Sequence, residues 1–276
     1  MRVAPVHVVA GALIDRAGRI LIAERPAGKA HAGRWEFPGG KLKGGESPRD
    51  GLARELAEEL GIELLKCAPL LTVTHHYPGA PAPTLIDCWT VELWRGTPES
   101  LDGQRLRWCT RAELASADIL EADRAIVTAL RLPRLFLRAG GPGGRPRPGA
   151  GRERVGWLLE GAAAARPPAA GEGDALFLVD PTDAPPPGAG ALYRDPARAR
   201  AGAAGGEPSG AVVASGAEAR AALTAGADFL VVIDRAGAAE ELEAIAATGL
   251  PWYLNVAAAG SGDAPAPTGR VWWPTP

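Results

Sequence analysis

Gly39-Gly40-Lys41-Leu42-Lys43-Gly44-Gly45-Glu46-Ser47-Pro48 runs into a segment, Arg49 to Ile62, whose spacing predicts a helix. That helix carries Arg54-Glu55-Leu56-Ala57-Glu58-Glu59-Leu60-Gly61-Ile62. Glu55, Glu58 and Glu59 stand at i, i+3 and i+4, which puts their side chains on one face. Three carboxylates on one face repel each other unless solvent or a hard cation lies among them. Mg²⁺ takes oxygen ligands, usually a few carboxylates, while also gripping substrate phosphates. Ser47 before Pro48 predicts an N-cap with proline at the first helical position. Gly61 predicts a left-handed stop. Leu52, Leu56 and Leu60 form an apolar stripe for docking on a core, so the glutamates gain a rigid platform.

The segment resembles the Nudix box, which runs Gly, five residues, Glu, seven residues, Arg-Glu-aliphatic, any, Glu-Glu, any, Gly-aliphatic. Gly40, Glu46, Arg54-Glu55-Leu56, Glu58-Glu59 and Gly61-Ile62 meet every fixed position. An acidic trio alone would usually be a solvated face; the length of the whole pattern points to a site. The glycine run from Gly39 reads as a turn, and not as a Walker loop, because no Gly-Lys-Ser/Thr follows it. The resemblance implies a hydrolase of phosphorus-containing anhydrides on an α/β/α sandwich with a mixed sheet.

Outward from this segment, short apolar runs and turns predict strands over His7–Ile14, Arg19–Glu24, Leu64–Tyr77, Leu85–Trp94 and Leu106–Cys109, with a closing helix over Ala122–Leu130. Within the Nudix family the likeness is to the MutT-like, 8-oxo-dGTP diphosphatase branch, and is carried by Trp35-Glu36-Phe37-Pro38-Gly39-Gly40-Lys41. It implies Glu58 and Glu59 as metal ligands, Glu55 as ligand or general base, and the Gly39 carbonyl as a further ligand. Asp102, in Leu101-Asp102-Gly103-Gln104, lies where a distant acidic ligand is expected, and equally suits an ordinary turn. The cofactor implied is Mg²⁺, with Mn²⁺ as a substitute.

Arg25 matches a phosphate-contacting arginine, and Lys41 is either a second phosphate contact or a solvated lysine. Arg54 reads as an organiser of the carboxylates, with Glu46 as its partner. Asp123 aligns with an asparagine that reads the oxidised purine. Aspartate has no amide donor, but an ionised carboxylate still accepts from the N1–H and N2–H of a guanine edge. Asp123 equally suits a cap on the helix that follows. His75, His76 and Tyr77 are either a base-stacking edge or a loop surface. The implied reaction is attack at the β-phosphorus of 8-oxo-dGTP, giving 8-oxo-dGMP and pyrophosphate, a step of nucleotide-pool sanitation that serves DNA replication and repair.

The length of 276 residues allows two domains, and the net charge of −2 offers no basic field for nucleic acid or a membrane surface. The expected partner is a small nucleotide, with no direct nucleic-acid binding and no membrane. No signal peptide or bilayer-length apolar run is visible, and a cytoplasmic location is expected. Cys67, Cys88 and Cys109 have no CxxC spacing and read as buried thiols. Every Lys lies at or before Lys66 and every His at or before His76, whereas Ala, Gly, Pro and Arg dominate beyond Pro133. Two modules follow, 1–132 and 133–276.

In the second module, Gly140 to Gly151 reads as a linker. Eight short apolar runs from Leu135-Phe136-Leu137 to Arg270–Trp273, with helical patterns over Ala217–Ala225 and Ala238–Thr248, suggest a (β/α)₈ barrel. Ala214-Ser215-Gly216-Ala217-Glu218 through Ala225-Gly226-Ala227-Asp228-Phe229-Leu230, then Leu250-Pro251-Trp252-Tyr253-Leu254, resemble the thiamine phosphate synthase/TenI family. The departures are many. The module is short for such a barrel, it has no lysine, Asn255-Val256-Ala257 replaces an expected glycine pair, and Ala184-Pro185-Pro186-Pro187 interrupts a loop. A degenerate, non-catalytic barrel is expected, serving packing, homodimerisation or small-molecule sensing. Arg194 and Arg198 suit either an anion or a solvated helix start. The module also raises damaged thiamine diphosphates as an alternative substrate. From another class, a ligand-sensing protein with no turnover is the remaining alternative, and the complete glutamate cluster argues against it.

Overall fold

The computed structural model describes residues 4–133, 135–138, 155–159, 175–179, 181, 189–199, 208–232, 239–248, 250–255 and 269–272. The chain divides into two compact units, Met1–Val127 and Thr128–Pro276. The division falls five residues before the expected boundary at residue 132, inside the last helix of the Nudix-like half.

In the first unit, β1 (Val6–Leu13) pairs in parallel with β6 (Thr84–Arg95) and antiparallel with β4 (Gly39–Lys41). β5 (Glu63–His75) completes a mixed four-stranded sheet beyond β6. A second sheet sets β2 (Ile20–Glu24) between β3 (Trp35–Glu36) and β7 (Leu106–Cys109). Gly39 and Gly40 therefore belong to a strand, where a turn was expected. A Cβ on Gly39 would lie 2.1 Å from the Val9 carbonyl oxygen, so only glycine lets this edge pair so closely.

The helix α1 spans Pro48–Leu60 with the ends expected. Ser47 Oγ accepts from the Asp50 N–H at 3.2 Å. Gly61 takes φ 67° and returns N–H bonds to the last turn. Leu52, Leu56 and Leu60 are buried with Val9, Leu13, Leu64 and Val91 in one cluster. Gly11 of β1 leaves room for this docking: a Cβ there would meet Leu52 at 3.1 Å. Alternation along β6 turns Cys88 to the opposite sheet face from Val91. α2 (Arg111–Ser116) starts on a Thr110–Glu113 capping box. The 3-10 turn Glu121–Asp123 leads into α3 (Arg124–Arg131), in place of one helix from Ala122.

Among the described residues the second unit holds eight strands in parallel succession: β8 (Leu135–Arg138), β9 (Val155–Leu159), β10 (Ala175–Val179), β11 (Ala189–Tyr193), β12 (Ser209–Val213), β13 (Phe229–Val232), β14 (Trp252–Asn255) and β15 (Gly269–Trp272). β15 also pairs in parallel with β8. α4 (Gly216–Ala225) follows β12 and α5 (Ala239–Ala246) follows β13. The residues of β11, β12 and β13 are buried on both faces, as a parallel sheet requires. Val212, Phe229, Val231 and Tyr253 join Leu158, Phe177 and Leu192 in one cluster. Their sequence neighbours Ala211, Val213, Leu230, Val232 and Trp252 pack in another with Ala219, Ala222, Leu242 and Ile245. Gly190 and Gly210 make room for large rings, since a Cβ would lie 2.3 Å from Phe177 and 2.4 Å from Phe229. The expected Gly140–Gly151 linker, the 184–187 proline tract, Val256 and Ala257 lie outside the described residues. No helix among the described residues is long and apolar enough to cross a membrane.

Candidate active site

The acidic face of α1 lies against β4. The Gly39 N–H donates to Glu59 Oε2 at 3.0 Å. Glu55 lies so close to Gly40 that a Cβ there would sit 2.5 Å from its carboxyl carbon. The two box glycines thus leave space for the carboxylates that the helix brings. Burial pushes the Glu59 carboxyl up to about 7, helped by the charges of Glu55, Glu36 and Asp102 and opposed by the Gly39 N–H. Asp102 therefore sits within electrostatic reach of the cluster. Its loop is docked on the helix end, where the Leu101 N–H donates to the Glu59 carbonyl at 3.0 Å.

Arg54 holds these groups apart and in place. Its Nε and Nη2 donate to the two oxygens of Glu46 at 2.8 and 2.9 Å, the fork geometry that suits a carboxylate. Its Nη1 reaches Glu55 at 2.8 Å and Glu58 at 3.0 Å, and Nη2 also reaches the Lys41 carbonyl. Glu46 is held well below the ordinary carboxylate range, chiefly by Arg54. Lys43 lies 3.4 Å from Glu58, while Lys41 is exposed on β4.

The expected ligand set is thus assembled on one platform but not gathered on one point. Among the described residues no three His, Cys, Asp or Glu side chains converge as a metal centre. The reason is electrostatic: Arg54 draws Glu55 and Glu58, and the Gly39 N–H draws Glu59. The donors fit a hard divalent cation nonetheless. They are all oxygens, and Glu55, Glu58 and Glu59 stand on one helix face with the Gly39 strand beside them.

Across Phe37 and Pro38 from Gly39 lies a second group of polar side chains. Asp123 is buried, and its Oδ2 accepts from the Phe37 N–H at 3.2 Å. Among the described residues its side chain bonds to this segment rather than to the helix that follows, which removes the capping reading. Burial pushes its carboxyl up to about 7, with Glu36 raising it further and Arg25 lowering it. Tyr77 stands within electrostatic reach of Asp123, Arg25 and Glu36. The His75 ring meets Tyr77 edge-on at 4.4 Å, whereas His76 is exposed.

Arg25 is less free than a phosphate-contacting arginine was expected to be. It pairs with Glu36, and its Nε donates to the Ala30 carbonyl at 2.7 Å. Glu36 was missed as a site residue. It touches Arg25 and acts electrostatically on both Asp123 and Glu59. Its one signal in the sequence is a carboxylate set inside the apolar run Trp35-Glu36-Phe37. Burial dominates its raised carboxyl, against the pull of Arg25. The three cysteines are free; Cys88 and Cys109 are buried as expected, whereas Cys67 is only half-buried.

Comparison with known proteins finds relatives of the first unit. The NUDIX domain family matches residues 5–130. A Mycobacterium tuberculosis protein provisionally named 8-oxo-dGTP diphosphatase 2 is 42% identical over 123 residues, 45% of this chain and 86% of that protein. The CTP pyrophosphohydrolase of Escherichia coli is 37% identical over 134 residues, 49% of this chain and 95% of that protein. Among solved structures, that of the E. coli ORF135 protein is 35% identical and covers 46% of this chain and 87% of its own, with a TM-score of 0.41.

Proposed function

The chain belongs to the Nudix hydrolase family, and from that premise we propose a Mg²⁺-dependent diphosphatase of nucleoside triphosphates that prefers oxidised purines, converting 8-oxo-dGTP to 8-oxo-dGMP and pyrophosphate. One observation carries the reading. The bend that joins β3 to β4 bonds the buried Asp123 at Phe37 and the helix glutamate Glu59 at Gly39. The proposed base reader and the anhydride chemistry are thus tied to the chain only two residues apart.

Glu58 and Glu59 would hold the metal, with Glu55, the Gly39 carbonyl and Asp102 as its further surroundings. A bound divalent cation supplies a water of lowered pKa and neutralises phosphate charge. Glu55 is positioned beside Gly40 to take the proton of the attacking water. The water oxygen bonds to the β-phosphorus, the bond to the α-phosphate oxygen breaks, and that oxygen leaves on the nucleoside monophosphate. Arg54 keeps the glutamates in register, and Lys41 meets the phosphate tail. Arg25 acts through Glu36 and its own loop more than on phosphate.

A Glu58→Gln chain is the direct test. Turnover falls at least a hundredfold with the melting temperature within a few degrees of the parent. Retained turnover would remove the cluster from the chemistry.

A second reading, a cytosine nucleotide, is favoured by the buried carboxyl of Asp123, raised to about 7. An ionised carboxylate accepts from both N1–H and N2–H of a guanine edge. A protonated carboxyl donates to cytosine N3 and accepts from its N4 amino group. Lowering the pH from 8.5 to 6 protonates Asp123 and so raises kcat/KM for CTP relative to 8-oxo-dGTP. A ratio flat with pH, or moving the other way, would remove Asp123 from base reading.

For the second unit the reading is a degenerate (β/α)₈-like module with a structural duty. Phe177, Phe229 and Tyr253 stack edge-to-face inside it, which supports a filled core over a ligand cavity. The α4 N-terminus is also internally satisfied: the Gly216 N–H donates to Glu241 and the Ala214 N–H to Glu218, each at 2.6 Å. Arg198 is likewise engaged, by the Tyr193 ring and the Pro181 carbonyl.

A further inference from the structure

We propose that His31 is a specificity residue that closes a nucleobase against Tyr77, an inference that rests on the nucleotide reading above. Among the described residues His31 is the one non-glycine with a positive φ, 61°. A side chain in this region is uncommon, though histidine is among the residues that tolerate it, and such a backbone persists where the surroundings impose it. Here the loop 25–34 imposes it. The Gly33 N–H donates to the Arg25 carbonyl at 3.0 Å, the Arg25 Nε–H to the Ala30 carbonyl, and the Arg34 N–H to the His31 carbonyl at 3.2 Å. Gly28 and Gly33, at φ 89° and 86°, flank the turn, and a Cβ on either would meet nothing within 4 Å. The loop is thus closed on itself and stands off the body at its two glycines.

What this conformation achieves is placement of a ring. His31 lies over Tyr77 with centroids 5.4 Å apart and planes 30° apart. Tyr77 is braced from another side by His75. Its hydroxyl lies within electrostatic reach of Asp123 and Glu36, which ties this aromatic pair to the proposed base reader. The His75 Nε2 is buried without a hydrogen-bond partner among the described residues, so the ring is held there by packing on Tyr77. Two rings holding a base between them need a centroid separation of about 7 Å, the outer end of the stacking range. His31 therefore lifts by about 1.5 Å as the base enters, a displacement the two flanking glycines can absorb. Stacking recognises the face of a base and not its edge, so His31 favours nucleotides over base-free phosphates while Asp123 chooses among bases.

The test compares the full chain with His31→Gly, which keeps the left-handed backbone and removes the ring. Steady-state rates are measured with 8-oxo-dGTP, CTP and an abasic deoxyribose 5′-triphosphate, and folding is followed by thermal melting. The proposal expects KM for both nucleotides to rise about tenfold with kcat little changed, as loss of one stacking contact implies. The kcat/KM ratio of nucleotide to abasic substrate falls by the same factor. Tyr77→Phe, which keeps the ring, retains the parent ratio, and Tyr77→Ala lowers it. An unchanged ratio in a folded His31→Gly chain, while the parent hydrolyses nucleotides, overturns the His31 assignment alone. A parent that hydrolyses no nucleotide overturns the functional reading and this inference with it.

Discussion

Asp123 shows how much one side chain's surroundings matter. Its type suggested a base reader or a helix cap, and the fold turns it from the helix by burying it beneath the Phe37 N–H. Burial raises its carboxyl from the ordinary 3.8 to about 7. Between those values the folded chain holds a proton that the unfolded chain has released. Folding stability therefore falls as pH rises from about 4 to about 7, and levels off above. Glu59, also raised to about 7, contributes with the same sign. The difference between the parent and Asp123→Asn isolates Asp123. In chelator, the parent loses several degrees of melting temperature relative to Asp123→Asn between pH 5 and pH 8, and a constant difference would contradict the buried carboxyl. His31 is the opposite case: nothing in Ala30-His31-Ala32 announces a left-handed backbone, because the closing bonds come from Arg25 and Arg34.

The α1 helix was legible almost to the residue, since Ser47, Pro48, Gly61 and the leucine stripe are local signals that the packing obeys. β4 was not. Two glycines read as a turn, and the pairing of Gly39 and Gly40 with Ala10 and Val9 is a long-range fact. The contact between β4 and α1 separates stability from chemistry. Gly39→Ala would drive a Cβ into the Val9 carbonyl at a φ of 150°, so the sheet itself must yield. Gly40→Ala meets only the mobile end of Glu55. The expected outcome for Gly40→Ala is a melting temperature within a few degrees of the parent and a kcat about a hundredfold lower, because a displaced carboxylate loses its geometry. Equal losses of stability and rate would show that Glu55 is only packing there.

At the scale of the molecule, composition suggested two modules, and apolar runs marked the longer strands while missing β3 and β4. The eight apolar runs beyond residue 133 all became strands, because short β-branched and aromatic runs between glycines and prolines have few other stable forms. The gathering of Glu36, Tyr77 and Asp123 could not be read from their order, since about ninety positions separate the outer pair and only the sheet brings them together. We propose that this gathering, joined to the α1 glutamates, serves a nucleotide diphosphatase. The most direct measurement is pyrophosphate release by the full chain with Mg²⁺, comparing 8-oxo-dGTP, dGTP, CTP and thiamine diphosphate by kcat/KM. The account predicts 8-oxo-dGTP ahead of dGTP by at least tenfold, with thiamine diphosphate untouched. Hydrolysis of thiamine diphosphate in preference to every nucleotide, or no pyrophosphate from any of them, would contradict it.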